Sequence, residues 1–189
     1  TRYQNILDAR LAPAYERVPQ ITANYAKFDQ KGFDFTTLVD VANFRRPLLQ
    51  SAEGVRALVN PQISYPVVRP GWFVTPKIGL SAASYQMNQD PAYGNSNYSR
   101  TLPTISVDSG MIFERQSKLF GRAVTQTLEP RLFYTYTPYR NQSQFPVFDT
   151  TIADFNFAQL FSTNTFIGND RIADTNQLTS AVVSRFISQ

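Results

Sequence analysis

Apolar and polar residues alternate along several long segments of the chain. From Val55 to Val67, the odd positions are apolar and most even positions are polar. The same alternation occurs at about 19–29, 33–41, 74–82, 104–114, 124–136 and 178–188. A period of two residues is typical of β-strands whose two faces meet different surroundings. The sequence therefore predicts an all-β, antiparallel fold of about seven or eight strands, the eighth being the tail of a strand at residues 1–7.

The length and polarity of these segments favour strands that cross a membrane. Several are about twice as long as the ~5–6 residues of an average strand, and a transmembrane strand needs ~9–11 residues. Charged residues also occur in mid-strand on the polar face, which suits a water-filled lumen better than a packed core. We therefore predict a segment of a transmembrane β-barrel. The lumen-facing candidates are Asp34, Asp40, Arg56, Lys77, Asp108, Glu114, Arg122, Glu129, Arg131 and Arg185.

Short and long connections alternate between the predicted strands. The short ones are 30–31, 66–72 and 116–121, and the long ones are 46–53, 88–101 and 139–177. Outer-membrane barrels place long loops at the cell exterior and short turns in the periplasm, so we expect the long loops outside.

The last of these loops, 139–177, is rich in polar residues, which we expect to form a hydrogen-bond and ion-pair network that holds the loop in one shape. The candidates are Tyr139, Arg140, Asp149, Asp170, Arg171 and Asn176. Within the same loop, Phe155, Phe157, Leu160 and Phe161 lie at roughly helical spacing. That spacing fits either a short amphipathic helix or a small apolar cluster.

Aromatic residues make up 14% of the chain. Barrels carry girdles of such residues at both membrane interfaces, although ordinary β-propensity enriches them as well. The candidates for girdles are Tyr65, Phe73, Tyr85, Phe133, Tyr134 and Tyr136.

The composition argues against several classes of function. The chain has no histidine and no cysteine, which removes Ser-His-Asp and Cys-His catalysis and most zinc chemistry. The strand carboxylates could in principle form an acid–base set, but solvated or ion-paired lumen charges are the better interpretation. We therefore predict no enzyme, no metal site and no cofactor. The net charge of +4 is scattered along the chain, which is not typical of a nucleic-acid binder.

Five sequence blocks resemble the LptD (OstA/Imp) family of lipopolysaccharide-assembly proteins. They are VPQITANY at 18–25, ISYPVVRPGWFVTPKIGL at 63–80, LPTISVDSGMIFER at 102–115, QTLEPRLFYTYTPYRNQSQFPVFDTT at 126–151 and GNDRIADTNQLTSAVVSR at 168–185. The resemblance implies a bacterial outer-membrane barrel of about 26 strands that is the exit port for lipopolysaccharide. It also implies an LptE-like lipoprotein plug and a periplasmic Lpt bridge as partners.

On this resemblance, residues 1–189 are an internal part of the C-terminal barrel domain, without the N-terminal jellyroll or the gate strands. Two alternatives remain open at this point. One is another outer-membrane barrel, such as a porin-like channel or a barrel enzyme. The other is a soluble β-rich binding module, which would have to bury its apolar face against a second sheet.

Overall fold

The computed structural model describes residues 14–46, 51–89, 91 and 96–188. Its strands are β1 (Glu16–Gln30), β2 (Phe33–Arg45), β3 (Glu53–Ser64), β4 (Val67–Arg69), β5 (Trp72–Gln89), β6 (Asn97–Met111), β7 (Phe113–Leu119), β8 (Arg122–Thr137), β9 (Thr151–Ile152), β10 (Phe166–Ile167) and β11 (Thr175–Ser188). A single turn of 3-10 helix covers Ala158–Phe161.

Nine strands form one antiparallel sheet whose main path follows the order of the chain. The order is β1-β2-β3-β5-β6-β8-β11, with the short β4 beside β5 and the short β7 beside β8. β9 and β10 pair separately. The predicted all-β antiparallel fold is confirmed, and all seven predicted strands lie in this path. The strand count fits a segment of a larger barrel. The further strand predicted at residues 1–7 lies outside the described residues.

The alternation of short and long connections is also confirmed. Two-residue turns at 31–32, 70–71 and 120–121 lie at one end of the sheet. The connections at the other end are 46–52, 90–96 and 138–174. The last connects β8 to β11, and we call it the long loop.

Three connections are shorter than predicted. β4 lies within the connection predicted at 66–72, β7 extends to residue 119 within the one predicted at 116–121, and the third was predicted at 88–101. In the structure β5 continues to Gln89 and β6 begins at Asn97. The segment is rich in Asn, Ser and Tyr, which resembles a loop in composition. Pairing with β5 nevertheless extends the strand, because Tyr98 faces Tyr85 and Arg100 faces Ala83 in register.

The two faces of the sheet have opposite character, and the apolar face is the exposed one. Ile63, Ile78 and Ile105 lie side by side across β3, β5 and β6, and 55% of Ile78 is exposed. On the other face, Arg56 is completely buried. We call these the apolar face and the polar face. No helix in the described part of the chain is long and apolar enough to cross a membrane.

The long loop covers part of the polar face and forms a small core with it. Phe148 of the loop stacks on Phe44 of β2, with ring centroids 4.3 Å apart and ring planes 6° apart. Phe145 packs edge-on against Tyr85 of β5 at 5.6 Å.

This packing corrects the girdle assignment for two residues. Tyr85 and Phe133 are buried beneath the loop, because both project from the polar face. Tyr65, Tyr134 and Tyr136 are exposed as a girdle requires. The girdle assignment of Phe73 is also wrong, because Phe73 is half-buried and shares the polar face of β5 with Lys77 and Tyr85.

Candidate functional site

Arg56 of β3 lies at the centre of the contact between the sheet and the long loop. Its Nη1 donates to Asp149 Oδ1 at 2.8 Å and to Asp170 Oδ1 at 2.7 Å. Its Nη2 donates to Asp149 Oδ2 at 2.9 Å and to Asp40 Oδ1 at 3.3 Å. Asp149 and Asp170 belong to the loop, whereas Asp40 belongs to β2. One guanidinium group therefore joins two strands to two points of the loop.

The Asp170 carboxylate is fully buried and is satisfied from several directions. Besides Arg56, its Oδ1 accepts a hydrogen bond from the Tyr85 hydroxyl at 3.2 Å. Its Oδ2 accepts from the backbone N–H groups of Phe148 and Asp149 at 2.7 and 2.8 Å. These backbone bonds fold residues 148–149 back onto residue 170, which closes the loop on itself.

Asp40 is held from the other side by β1. The Gln20 amide and the Thr22 hydroxyl both donate to Asp40 Oδ2, at 2.7 and 2.6 Å. Arg56 also lies over the Phe44 ring at 4.8 Å, a cation–π distance. The sheet therefore contributes one carboxylate and one aromatic ring to the surroundings of the guanidinium, and the loop contributes the shorter hydrogen bonds.

The two loop carboxylates have opposite pKa shifts. Burial acts to raise the pKa of Asp149, but the hydrogen bond and positive charge of Arg56 outweigh it and lower this pKa to about 2. Burial raises the pKa of Asp170, and the charge of Arg56 only partly offsets this effect while the neighbouring Asp149 adds to it. The Arg56–Asp149 pair is therefore the firmly ionised part of the network.

Two more arginines hold the loop through its backbone carbonyl groups. Arg100 of β6 donates to the carbonyl oxygens of Asp170 and Asn169. Arg171 donates to the carbonyl oxygens of Gln142 and Phe145 within the loop. Carbonyls of a folded loop need such donors when water is excluded.

A second group of charges lies farther along the polar face. Arg131 of β8 forms a bidentate ion pair with Asp108 of β6, at 2.9 and 2.6 Å. Its guanidinium also lies 4.2 Å from the ring centroid of Phe161, in the 3-10 turn of the loop. Arg185 of β11 pairs with Glu129 of β8 at 3.2 Å. These contacts tie β6, β8, β11 and the loop together.

The remaining candidates from the strands are spread along the sheet. Alternation places Asp34, Lys77 and Glu114 on the polar face. Asp34 is close to the first turn, where it accepts the Asp29 N–H. Arg122 does not share this face, because it is an even-numbered residue of β8 like Leu128, and register is unbroken between them. Its assignment to the lumen side is therefore wrong, and it is exposed beside the turn at 120–121.

Three of the six loop candidates take part in the network and three do not. Asp149, Asp170 and Arg171 are in it. Tyr139 and Arg140 are exposed and line a shallow surface cavity instead. Asn176 is the second residue of β11, not a loop residue, and its Oδ1 accepts the Tyr134 hydroxyl at 3.0 Å on the exposed side of the sheet. The network assignment is wrong for these three, because Asn176 lies in β11 and the side chains of Tyr139 and Arg140 are exposed.

Sequence reasoning missed Arg100 and misassigned Tyr85. Both positions carry a usable signal in the alternation. Arg100 is on the same face as Thr104, Ser106 and Asp108, although Leu102 interrupts the polar series, and Tyr85 is on the same face as Lys77. The ionic link between Arg56 and the loop has no local signal, because Asp149 and Asp170 are 93 and 114 residues away in sequence.

This arrangement holds the long loop in one position over the sheet. The carboxylates surround an arginine, and the chain contains no histidine or cysteine to act with them. Within the described ranges there is also no grouping of three or more His, Cys, Asp or Glu residues suited to a metal ion.

Comparison with known proteins gives the family. The family model described as "LPS transport system D" (LptD) matches residues 1–189. The chain belongs to the LptD family.

Named relatives agree with this assignment. The LPS-assembly protein LptD of Cupriavidus necator is 51% identical over 93% of the chain. Its counterparts in Ralstonia nicotianae and Paraburkholderia xenovorans are 50% and 47% identical over 94% and 96% of the chain. The chain spans less than a quarter of these LptD relatives, namely 23%, 22% and 23% of their lengths.

Proposed function

We propose that this chain forms part of the wall of an outer-membrane barrel that delivers lipopolysaccharide to the outer leaflet. Membership of the LptD family supports the transport role, since the named relatives are LPS-assembly proteins. The location in a membrane is supported by one observation. The apolar face of the sheet is exposed, whereas the charged face is covered by the long loop. A soluble sheet would bury the apolar face.

The apolar face is suited to lipid over several neighbouring strands. Ile21 of β1, Val41 of β2 and Leu178 of β11 are also exposed, at 69%, 40% and 68%. An exposed apolar surface of this extent requires an apolar partner. In a barrel, the hydrocarbon core of the membrane is that partner.

The long loop, residues 138–174, has the role of a fixed exterior cover in this proposal. It lies across the polar face, which faces the lumen of the barrel. Arg56, Arg100 and Arg131 hold it there, so it narrows the lumen permanently and does not open and close. The wall segment itself performs no chemistry on the lipid.

The partners in this proposal are lipopolysaccharide, an LptE-like plug lipoprotein in the lumen and a periplasmic Lpt bridge that supplies the lipid. The polar face around Asp108, Arg131 and Glu129 offers the plug a mixed-charge surface.

The proposed function is tested by depletion of the full-length protein in its bacterium. We expect surface lipopolysaccharide to fall as the protein is depleted and to recover when the wild-type gene is restored. Unchanged surface lipopolysaccharide on full depletion would contradict the proposal.

The proposed orientation has its own test. An epitope inserted after Phe155 in the long loop should bind antibody on intact cells, because Phe155 is 82% exposed. The matched insertion after Phe120, 97% exposed at a short turn, should bind antibody only after permeabilisation. The reverse pattern would place the loop in the periplasm.

A further inference from the structure

Two adjoining cavities lie between the long loop and the polar face of the sheet. The first has a volume of about 130 Å³ and includes Asn60, Gln62 and Gly79 in its wall. The second has a volume of about 360 Å³ and includes Thr75 and Asp108. Lys77, Ser106 and Thr163 line both. We call the two together the loop cleft.

The loop cleft lies on the side of the loop that faces the short turns. Along β3, Arg56 comes first, and Asn60 and Gln62 follow towards the end of the strand at Ser64. The loop is therefore closed at the Arg56 network and leaves the cleft between that network and the short-turn end. In the proposed orientation, a molecule that enters from the periplasmic side meets the cleft before it meets the network.

Lys77 gives the cleft a positive charge that no residue of the described ranges neutralises. Within the described ranges, Lys77 is a member of no ion pair. Asp108, the carboxylate in the wall of the second cavity, already accepts hydrogen bonds from Nε and Nη2 of Arg131. A lysine ammonium with three donors and no fixed partner suits an anion.

The neutral part of the lining suits hydroxyl groups. Ser106 and Thr163 contribute hydroxyls, and Gln62 contributes an amide. The Oδ1 atom of Asn60 is buried and has no hydrogen-bond partner among the described residues. Buried polar atoms are nearly always satisfied, so this oxygen is an acceptor available to a hydroxyl group in the cleft.

Gly79 of β5 provides the space. A Cβ atom added there would come no closer than 3.4 Å to any atom, the nearest being Cγ of Gln62. The position therefore tolerates a side chain sterically, and the absence of one leaves the cleft open.

From this geometry we propose that the loop cleft binds an anionic saccharide, with Lys77 on the anionic group and the neutral polar side chains on sugar hydroxyls. This inference rests on the proposed function, because lipopolysaccharide is the molecule that would bring phosphorylated or carboxylated sugars to this face. The cleft then holds the sugar part of the lipid beneath the loop during export.

The test uses the full-length protein in detergent and saturation-transfer NMR with three probes. They are N-acetylglucosamine 1-phosphate, galacturonate and neutral N-acetylglucosamine. We expect at least one anionic probe to bind about tenfold more tightly than the neutral one. The anion that binds more tightly identifies phosphate or carboxylate as the preferred group.

Three variants make the result specific. Lys77→Met should remove the preference for anions, and Gly79→Val should weaken binding of all probes because it fills the cleft while keeping Lys77. Lys118→Met, at the end of β7 outside the cleft, should behave like the wild type. Heat-modifiable migration on gels checks that each variant is folded.

Unchanged anion binding by a folded Lys77→Met protein would overturn the inference, and so would equal binding of all three probes by the wild type. Neither result would affect the proposed function, which the depletion experiment tests independently. A failed depletion experiment would in turn leave the measured binding in place.

Discussion

Arg56 is the residue on which the loop contact depends most. It is fully buried, and it is shared by Asp40, Asp149 and Asp170. Three carboxylates around one guanidinium leave excess negative charge, which backbone N–H groups, Tyr85 and Arg17 help to offset. Arg17 lies 3.7 Å from Asp149. Removal of the central cation would leave the carboxylates facing one another without water.

The first prediction concerns this cation. Arg56→Met should lower the free energy of loop opening by about 3–5 kcal/mol, because it leaves buried charges without their partner. Hydrogen exchange at the Phe148 and Asp149 amides, both bonded to Asp170, measures the effect in the full-length protein. Arg69→Met is the control, since Arg69 is exposed at a short turn and should not alter exchange. Equal exchange in the two variants would mean that the loop is held elsewhere.

The second prediction concerns pH. The pKa of Asp149 is lowered from 3.8 to about 2, so its contribution to stability is complete above 3.8 and is lost as pH falls towards 2. The pKa of Asp170 is raised instead, so this residue adds a pH dependence of its own. Comparing the wild type with Asp149→Asn isolates the contribution of Asp149. We expect the difference in loop exchange between wild type and this variant to be constant at neutral and mildly acidic pH and to shrink below 3.8. A difference that stays constant down to pH 2 would contradict the ionised Arg56–Asp149 pair.

At the level of the elements, the long loop contains a backbone position with almost no space for a side chain. Gly168 has a φ of +93°, and a Cβ there would lie 2.3 Å from the carbonyl oxygen of Asp149. The chain passes so close because Asn169 N–H donates to Asp149 Oδ1 at 3.1 Å. Only glycine allows this approach.

The third prediction compares two glycines of similar conformation. Gly121 has a φ of +79° in a short turn, and a Cβ there would meet nothing within 4 Å. Gly121→Ala should therefore cost only the left-handed backbone term of about 1–2 kcal/mol. Gly168→Ala should cost about 1–3 kcal/mol more, because the close contact must also relax. Urea unfolding of the full-length protein in lipid vesicles measures both, and equal costs would contradict the contact with Asp149.

The strands followed from the sequence far better than the loop did. Each strand is defined by local alternation, and the Ile63, Ile78 and Ile105 stripe follows directly from it. The loop network depends on contacts such as Arg56 with Asp170, which no local pattern encodes. Tyr139 and Arg140 are polar residues of the loop, but polarity alone does not show which side chains turn inward, and Asn176 belongs to β11. The face of Tyr85 could be predicted, because alternation along β5 places it on the same side as Lys77, but no local pattern shows that the loop covers it.

At the scale of the whole molecule, the sheet presents a continuous apolar surface. The register places Phe35, Ile63, Ile78, Ile105 and Tyr136 in one row across five strands. Such a row fits the band of a barrel that meets hydrocarbon. A charge within it should be far more costly than a charge on the polar face.

The fourth prediction tests that difference. Ile78→Arg should destabilise the full-length protein in lipid vesicles by about 2–4 kcal/mol if Ile78 lies near the membrane midplane. Thr75→Arg is the matched control on the same strand, because Thr75 faces Asp108 across β6 on the polar side. Unfolding by urea gives both values. Equal costs would mean that the apolar face does not meet lipid.

The distance in sequence between Arg56 and Asp170, 114 residues, also has a consequence for assembly. Along the main path of the described sheet, each strand pairs with the preceding strand of that path, whereas Asp170, the partner of Arg56, is synthesised much later. A slip of one residue in the pairing of β2 or β3 would turn Asp40 or Arg56 to the opposite face. The late-arriving loop would then find no cation to receive Asp149 and Asp170. The loop therefore docks only if β2 and β3 have already paired in the correct register. In a chain with misaligned strands, the loop stays undocked and is accessible to proteases.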